Sequence, residues 1–221
     1  ELALVMTSFA IAALQLETAR GDNLAVLRTE IESVVARFPW VRMAVLGELS
    51  AYGTGTDRAE PLAGPTEKDF CRIARMLGIW LVPGSFYVRE GDSVYNLTPV
   101  INPAGEVVAR HRKLFPFLPY ETGVASGTGF TVFDVPKVGR FGVSICYDMW
   151  FPESTRTLAA MGAEVILHPS MTNTIDRDVE LVRGDLRERG PDAGAEVDVP
   201  VERGDAAVVP HGEEDLDAFR R

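Results

Sequence analysis

The stretch Phe141-Gly-Val-Ser-Ile-Cys146-Tyr-Asp-Met-Trp-Phe-Pro-Glu153 constrains this chain more than any other. Phe141, Val143 and Ile145 alternate with small residues, the pattern of a short core strand. Pro152 suits the first turn of a helix, where its missing N–H has no intrahelical partner to lose. The strand therefore delivers Cys146 to its C-terminal end, beside a helix start whose dipole favours a thiolate. Most free cysteines are small buried core residues, so a chemical role for Cys146 needs support from elsewhere in the chain.

Composition removes several alternatives. A net charge of −10 and a pI near 4.8 argue against nucleic acid as a partner, which calls for a basic patch. Two cysteines and three histidines fit no zinc-site spacing, so no metal is expected. Cys71 and Cys146 make no disulfide framework and point to a reducing, cytoplasmic setting. No apolar run reaches membrane-spanning length. The opening residues 1–14 are apolar but have neither a basic leader nor a convincing cleavage site. They read as a fully buried strand around Phe9–Leu14, with Met6 as the natural start.

Periodicity places the remaining elements. Gly21-Asp22-Asn23 offers a cap, and Leu24, Leu27, Ile31, Val34 and Val35 recur at helical spacing over 24–37, stopped by Pro39. Val41 to Gly47 is a strand with Glu48 at its end. The glycine- and proline-rich segment 49–65 is a loop suited to a site rim. Thr66 caps a helix to Leu77, closed by Gly78. Strands follow at 79–82, 85–88 and 95–101, then the turn Asn102-Pro-Ala-Gly105 and a returning strand at 106–110. From His111 the chain is expected to leave the sheet. A second hairpin joins 131–135 to 140–145, a helix covers about 153–161, and 165–167 is a strand. Alternating strands and helices interrupted by hairpins give an α/β domain with mixed sheets. Two glycine-containing decoys fail. Gly142-Val-Ser144-Ile-Cys146 lacks the last glycine of a serine elbow, and Gly53-Thr-Gly55 lacks the third glycine of a dinucleotide fingerprint.

Three polar residues stand just past strand ends: Glu48, Lys113 and Cys146. Each alone is unremarkable. Together they supply a nucleophile, a general base and a cation for a developing oxyanion, the needs of acyl transfer from an amide. Leu46-Gly-Glu48-Leu-Ser-Ala-Tyr-Gly53, Arg112-Lys113-Leu-Phe-Pro-Phe-Leu-Pro-Tyr-Glu121 and Phe141-Gly-Val-Ser-Ile-Cys146-Tyr-Asp148 resemble the glutamate, lysine and cysteine motifs of the nitrilase superfamily of carbon–nitrogen hydrolases. Gly47 stands where a proline commonly precedes the glutamate. Tyr95-Asn96 with Asn102-Pro-Ala-Gly105 is similar to that family's hairpin before the lysine.

The resemblance runs from about Phe9 to Val182. It implies an αββα sandwich, hydrolysis of a small non-peptide amide or, as the alternative, a nitrile, and no cofactor. Water is the second substrate, and a homo-oligomer is the expected assembly. By position, Cys146 would form a thioester, Glu48 would move the proton, and Lys113 with the Tyr147 backbone N–H would hold the oxyanion. Glu121 would support Lys113, while Tyr120, Trp150 and Asn173 would face substrate. Cys-Tyr-Asp resembles the amidase and carbamoylase branches.

Composition changes after Val182. Residues 183–221 carry 11 acidic against 6 basic residues and one aromatic, Phe219, with no apolar periodicity. The expected domains are 1–182, a hydrolase domain incomplete at its C-terminal end, and 183–221, a disordered acidic tail. A non-catalytic remnant of such an enzyme is the competing reading.

Overall fold

The computed structural model describes residues 8–19, 21–118 and 120–171. Asn173, the expected end of the hydrolase domain and the expected acidic tail lie outside them. Strands β1 (Ala10–Leu14), β2 (Val41–Leu46), β3 (Glu60–Pro61), β4 (Trp80–Val82), β5 (Phe86–Glu90), β6 (Ser93–Ile101) and β7 (Val107–Arg112) form one mixed sheet. Its order is β1-β2-β4-β6-β5-β3, with β7 paired to β6. Strands β8 (Thr131–Val135), β9 (Gly139–Val143) and β10 (Val165–Leu167) form a second sheet in the order β10-β9-β8. Helices α1 (Leu24–Arg37) and α2 (Pro65–Leu77) cover the first sheet, and α3 (Pro152–Ala160) packs on the second.

Alternation along the central strands explains the layers. Ala44, Leu46 and Leu81 face Leu27 and Ile31 of α1 and Phe70, Ile73 and Ala74 of α2. Met43, Trp80 and Val82 point the other way, against Phe133, Phe141, Val143 and Leu167 of the second sheet. A sheet buried on both faces needs continuous apolar strands, which is why Val41–Leu46 reads as it does. On the far face of the second sheet, a Cβ on Gly142 would stand 3.1 Å from Leu158 Cδ2 and 3.3 Å from Ala163 Cβ. Its missing side chain lets α3 sit close. The result is the expected αββα sandwich.

Local departures have local causes. β1 is not fully buried: it is an edge strand, and of its five residues only Leu14 is buried, with Ile11 38% exposed. Neither expected cap works through its side chain. Asn23 turns back instead, exchanging hydrogen bonds with the Ala19 backbone (3.0 and 2.9 Å), while Asp22 Oδ1 accepts from Leu24 N–H. Thr66 lies inside the first turn of α2, after Pro65, and donates to Glu60 (2.6 Å). The segment 49–65 holds a short 3-10 turn (Thr56–Arg58) and β3, and its first residues, Leu49 to Ala51, are buried. The chain does not leave the sheet at His111, because β7 continues to Arg112 through pairing with Leu97 and Thr98.

Candidate active site

Four chain segments converge at one end of the sandwich. Glu48 follows β2, Lys113 follows β7, Cys146 lies just past β9, and Met171 lies past β10. These are mostly C-terminal strand ends, where open α/β sheets place their sites. Lys113 is 1% exposed, so its ammonium is held by protein alone. Nζ donates to Glu48 Oε1 (2.7 Å) and Glu121 Oε2 (2.6 Å). Glu121 sits on the loop after Lys113 and also accepts from Phe117 N–H (2.7 Å). That loop is closed at its base, where Gly127 N–H donates to the Lys113 carbonyl (2.8 Å).

The electrostatics follow from burial. Glu48 is held above its ordinary carboxylate range because burial outweighs the nearby Lys113 charge. Burial pulls Lys113 down, but two adjoining carboxylates outweigh it and leave the ammonium above its usual range. Cys146 is pushed up to about 12, first by burial and then by the Glu48 carboxylate beside it. The expected dipole effect on the thiol is overturned. A 3-10 turn, Cys146–Trp150, separates the cysteine from α3, and desolvation of the thiolate dominates. The resting group is a thiol, and Sγ donates to the Met171 carbonyl (3.5 Å).

Backbone strain marks the same place. Cys146 has φ +44° and Leu49, next to Glu48, has φ +52°. Left-handed conformation in side-chain-bearing residues is costly and gathers at functional sites. The turn at Cys146 is held by its own N–H to the Pro169 carbonyl (2.9 Å) and by Ser144 N–H to the Leu167 carbonyl (3.0 Å).

Tyr120, Tyr147 and Trp150 meet in one aromatic cluster beside the cysteine turn. Phe117 stacks on Tyr120 (ring centroids 5.5 Å) and tilts against Tyr147 (4.8 Å), which contacts Trp150 (5.6 Å) and Phe151 (5.3 Å). Tyr120 is 64% exposed and forms the outer rim. His168 takes its place through Nδ1, 3.1 Å from the Ser144 carbonyl.

Three participants were missed in the sequence. Asn96, fully buried in β6, donates from Nδ2 to both Glu48 Oε1 (2.9 Å) and Glu121 Oε1 (2.8 Å). Its signal was a polar residue in the middle of an apolar strand. The Met171 N–H donates to Glu48 Oε2 (3.2 Å), a backbone contact with no sequence signature. Buried Asp148 joins His111 to the cysteine turn; the sequence showed it only as part of the cysteine motif, with no role of its own. A thiol, a buried carboxylate with raised proton affinity and a fixed ammonium in this order suit addition to a polarised carbon.

Similarity to known proteins agrees with the fold. The chain is 29% identical to an omega-amidase of Danio rerio over 184 residues, covering 76% of this chain and 65% of the relative. It is 33% identical to an N-carbamoylputrescine amidase of Solanum tuberosum over 129 residues, 55% of this chain and 42% of the relative. A Nesterenkonia amidase structure superposes with TM-score 0.69 at 25% identity, covering 81% of this chain and 71% of that one. The Saccharomyces cerevisiae Nit3 structure, of the nitrilase superfamily, gives 0.67 at 30% identity, with 76% and 66% covered. The chain thus spans less than two thirds of the length of these curated relatives. The carbon-nitrogen hydrolase family model matches residues 10–187, and the chain belongs to that family.

Proposed function

We propose that the chain hydrolyses the carbon–nitrogen bond of a small non-peptide amide through Cys146, Glu48 and Lys113, with Glu121 in support. The observation that carries this reading is the buried ammonium of Lys113 clamped between Glu48 and Glu121, with the Cys146 thiol beside Glu48. The amidases among its relatives support the substrate class.

Because the resting group is a thiol, its proton must move as the C–S bond forms. Glu48 accepts that proton, and its affinity, raised by burial, suits it to hold and return it. Lys113, with the backbone N–H of Tyr147, faces the oxyanion. Collapse of the adduct breaks the C–N bond, and Glu48 passes the proton to the departing ammonia or amine. Water, deprotonated by Glu48, then cleaves the thioester and releases the acid and the thiol. Tyr120, Trp150 and Asn173 are assigned to substrate contacts. A homo-oligomer in a reducing, cytoplasmic setting completes the proposal. A nitrile would meet the same thiol, and the nitrilase of Pyrococcus abyssi, 39% identical over 108 residues, keeps that substrate in the test.

The test is ammonia or amine release from short aliphatic amides, N-carbamoyl amino acids and short nitriles, with Cys146→Ala as control. Loss of a nucleophile is expected to cost at least about a thousandfold in kcat. Full activity in Cys146→Ala, or no release from any substrate by the native chain, overturns the reading.

A further inference from the structure

Asp148 accepts four hydrogen bonds, and only one is local to its own turn. Oδ1 takes the backbone N–H groups of Leu114 (2.9 Å) and Phe115 (2.9 Å), the two residues after Lys113. Oδ2 takes Ile145 N–H (3.0 Å), the residue before Cys146, and lies 3.0 Å from His111 Nε2, two residues before Lys113. A carboxylate only accepts, so His111 carries its proton on Nε2, and Nδ1 faces the Thr131 hydroxyl at 3.2 Å. Asp148 and His111 are each 1% exposed, which removes water as a substitute partner. One side chain thereby grips the lysine segment on both sides of Lys113 and pins the residue before the strained Cys146.

We propose that Asp148 is a positioning residue: its carboxylate locks the turn that presents Cys146 to the loop that presents Lys113, and so sets the alignment of thiol and ammonium. This rests on the reading of Cys146 and Lys113 as the reacting pair. A capping carboxylate would satisfy only its own turn. Here three of the four donors come from the lysine segment, 33–37 residues away in sequence. Positive φ at Cys146 persists only where the surroundings enforce it, and the Ile145 N–H contact is one of the restraints that do so.

Asp148→Asn is the informative change. It can keep Oδ1 for Leu114 and Phe115, but turns an NH2 group toward Ile145 N–H and His111. The imidazole can shift its proton to Nδ1 and accept; the Ile145 N–H cannot. The cysteine turn alone is then unpinned. A displacement of about 1 Å costs roughly a hundredfold, so kcat on the amide turned over fastest in the panel above is expected to fall about a hundredfold. KM should stay within about threefold, since the substrate-binding surface is intact.

The thiol supplies a readout independent of turnover. Freed from burial, it should titrate well below the native value in thiolate absorbance, while Asp148→Glu, which keeps the carboxylate, recovers much of both properties. Native kcat in Asp148→Asn overturns the proposal. So does a loss of kcat with native thiol titration and no recovery in Asp148→Glu. If the native chain turns over no amide, the functional reading fails and thiol titration alone decides: a native-like Asp148→Asn titration overturns the positioning role, a lowered one supports it. If Asp148→Asn does not melt cooperatively, Asp148→Glu is compared with the native chain. A longer carboxylate should shift the turn and lower kcat about tenfold, and native kcat with native titration there overturns the proposal.

Discussion

Replacing Lys113 by Met tests the electrostatics of the site without adding a polar group. The methionine fills most of the lysine volume, so the cavity penalty is small. What remains are two carboxylates that had Nζ at 2.7 and 2.6 Å and now share only Asn96. Removing one partner of a buried ion pair costs about 3–5 kcal/mol, a large part of the roughly 5–15 kcal/mol that holds a domain together. The loss should depend on pH. In the native chain Lys113 lowers the proton affinity of Glu48, so its removal lets burial raise that affinity further. A carboxyl raised on folding contributes stability that is present below its unfolded value, near 4, and lost as pH rises through its folded value. The variant is therefore weakest at the high end of the pH range and recovers as pH falls through the raised Glu48 value. Native Lys113 is itself raised, so its contribution is lost only above the ordinary lysine range and does not change between pH 5 and pH 8. Urea unfolding of both proteins at pH 5, 6.5 and 8, followed by tryptophan fluorescence, measures the difference. An unchanged midpoint at pH 8, or a deficit of equal size at pH 5 and pH 8, refutes the reasoning.

Two further outcomes follow from geometry. Cys146→Gly and Cys146→Ala both lose the thiol, but only glycine accepts φ +44° without strain; after its extra unfolded-state entropy, Gly should be more stable by about 0.5–1 kcal/mol. At about 2–4 °C per kcal/mol for a chain of this size, calorimetry should find the Gly variant melting higher, and an Ala variant melting at or above it removes the strain argument. Asn96→Leu deprives Glu48 Oε1 and Glu121 Oε1 of one donor each, while Lys113 Nζ still serves Glu48 Oε1; at about 1–3 kcal/mol for one unsatisfied group, urea unfolding should show a loss of roughly 1–3 kcal/mol, and a loss under about 0.5 kcal/mol would mean that Asn96 does not bridge the carboxylates.

What the sequence disclosed and what it concealed divide along a physical line. Helix α1 was legible to the residue because Leu24, Leu27, Ile31, Val34 and Val35 repeat at helical spacing and Pro39 forbids continuation. Strands β2, β8, β9 and β10 were legible from apolar alternation within a residue or two. Glu48, Lys113 and Cys146 were legible as polar residues at strand ends. That same rule hid Asn96, which acts from the middle of β6 between Tyr95 and Leu97. Exposure of β1 depends on its place at the sheet edge, a property of tertiary order that alternation cannot carry. The caps failed for a related reason: Asn23 and Thr66 found partners in the loops before their helices, and competing side-chain contacts outweigh local preference.

The misjudged thiol shows why proximity in sequence is a poor guide to proton affinity. A helix start can stabilise a thiolate by a fraction of a kcal/mol to about 2 kcal/mol, and only within its first turn. Desolvation of a buried charge can shift a pKa by several units, each worth about 1.36 kcal/mol. With a 3-10 turn between Cys146 and α3, the smaller effect is also the more distant one. The same burial raises Glu48, so acceptor and donor are displaced together and the resting site keeps its proton on sulfur. Under the proposed mechanism, what moves the proton is the appearance of a carbon for the sulfur to attack. A site built this way exposes no standing thiolate to oxidants or chance electrophiles, and under the proposed mechanism its reactivity would depend on how closely Glu48, Lys113 and Cys146 are aligned. On that proposal the hydrogen bonds of Asn96 and Asp148, which tie the three segments to one another, would be as consequential as the identity of the three residues themselves.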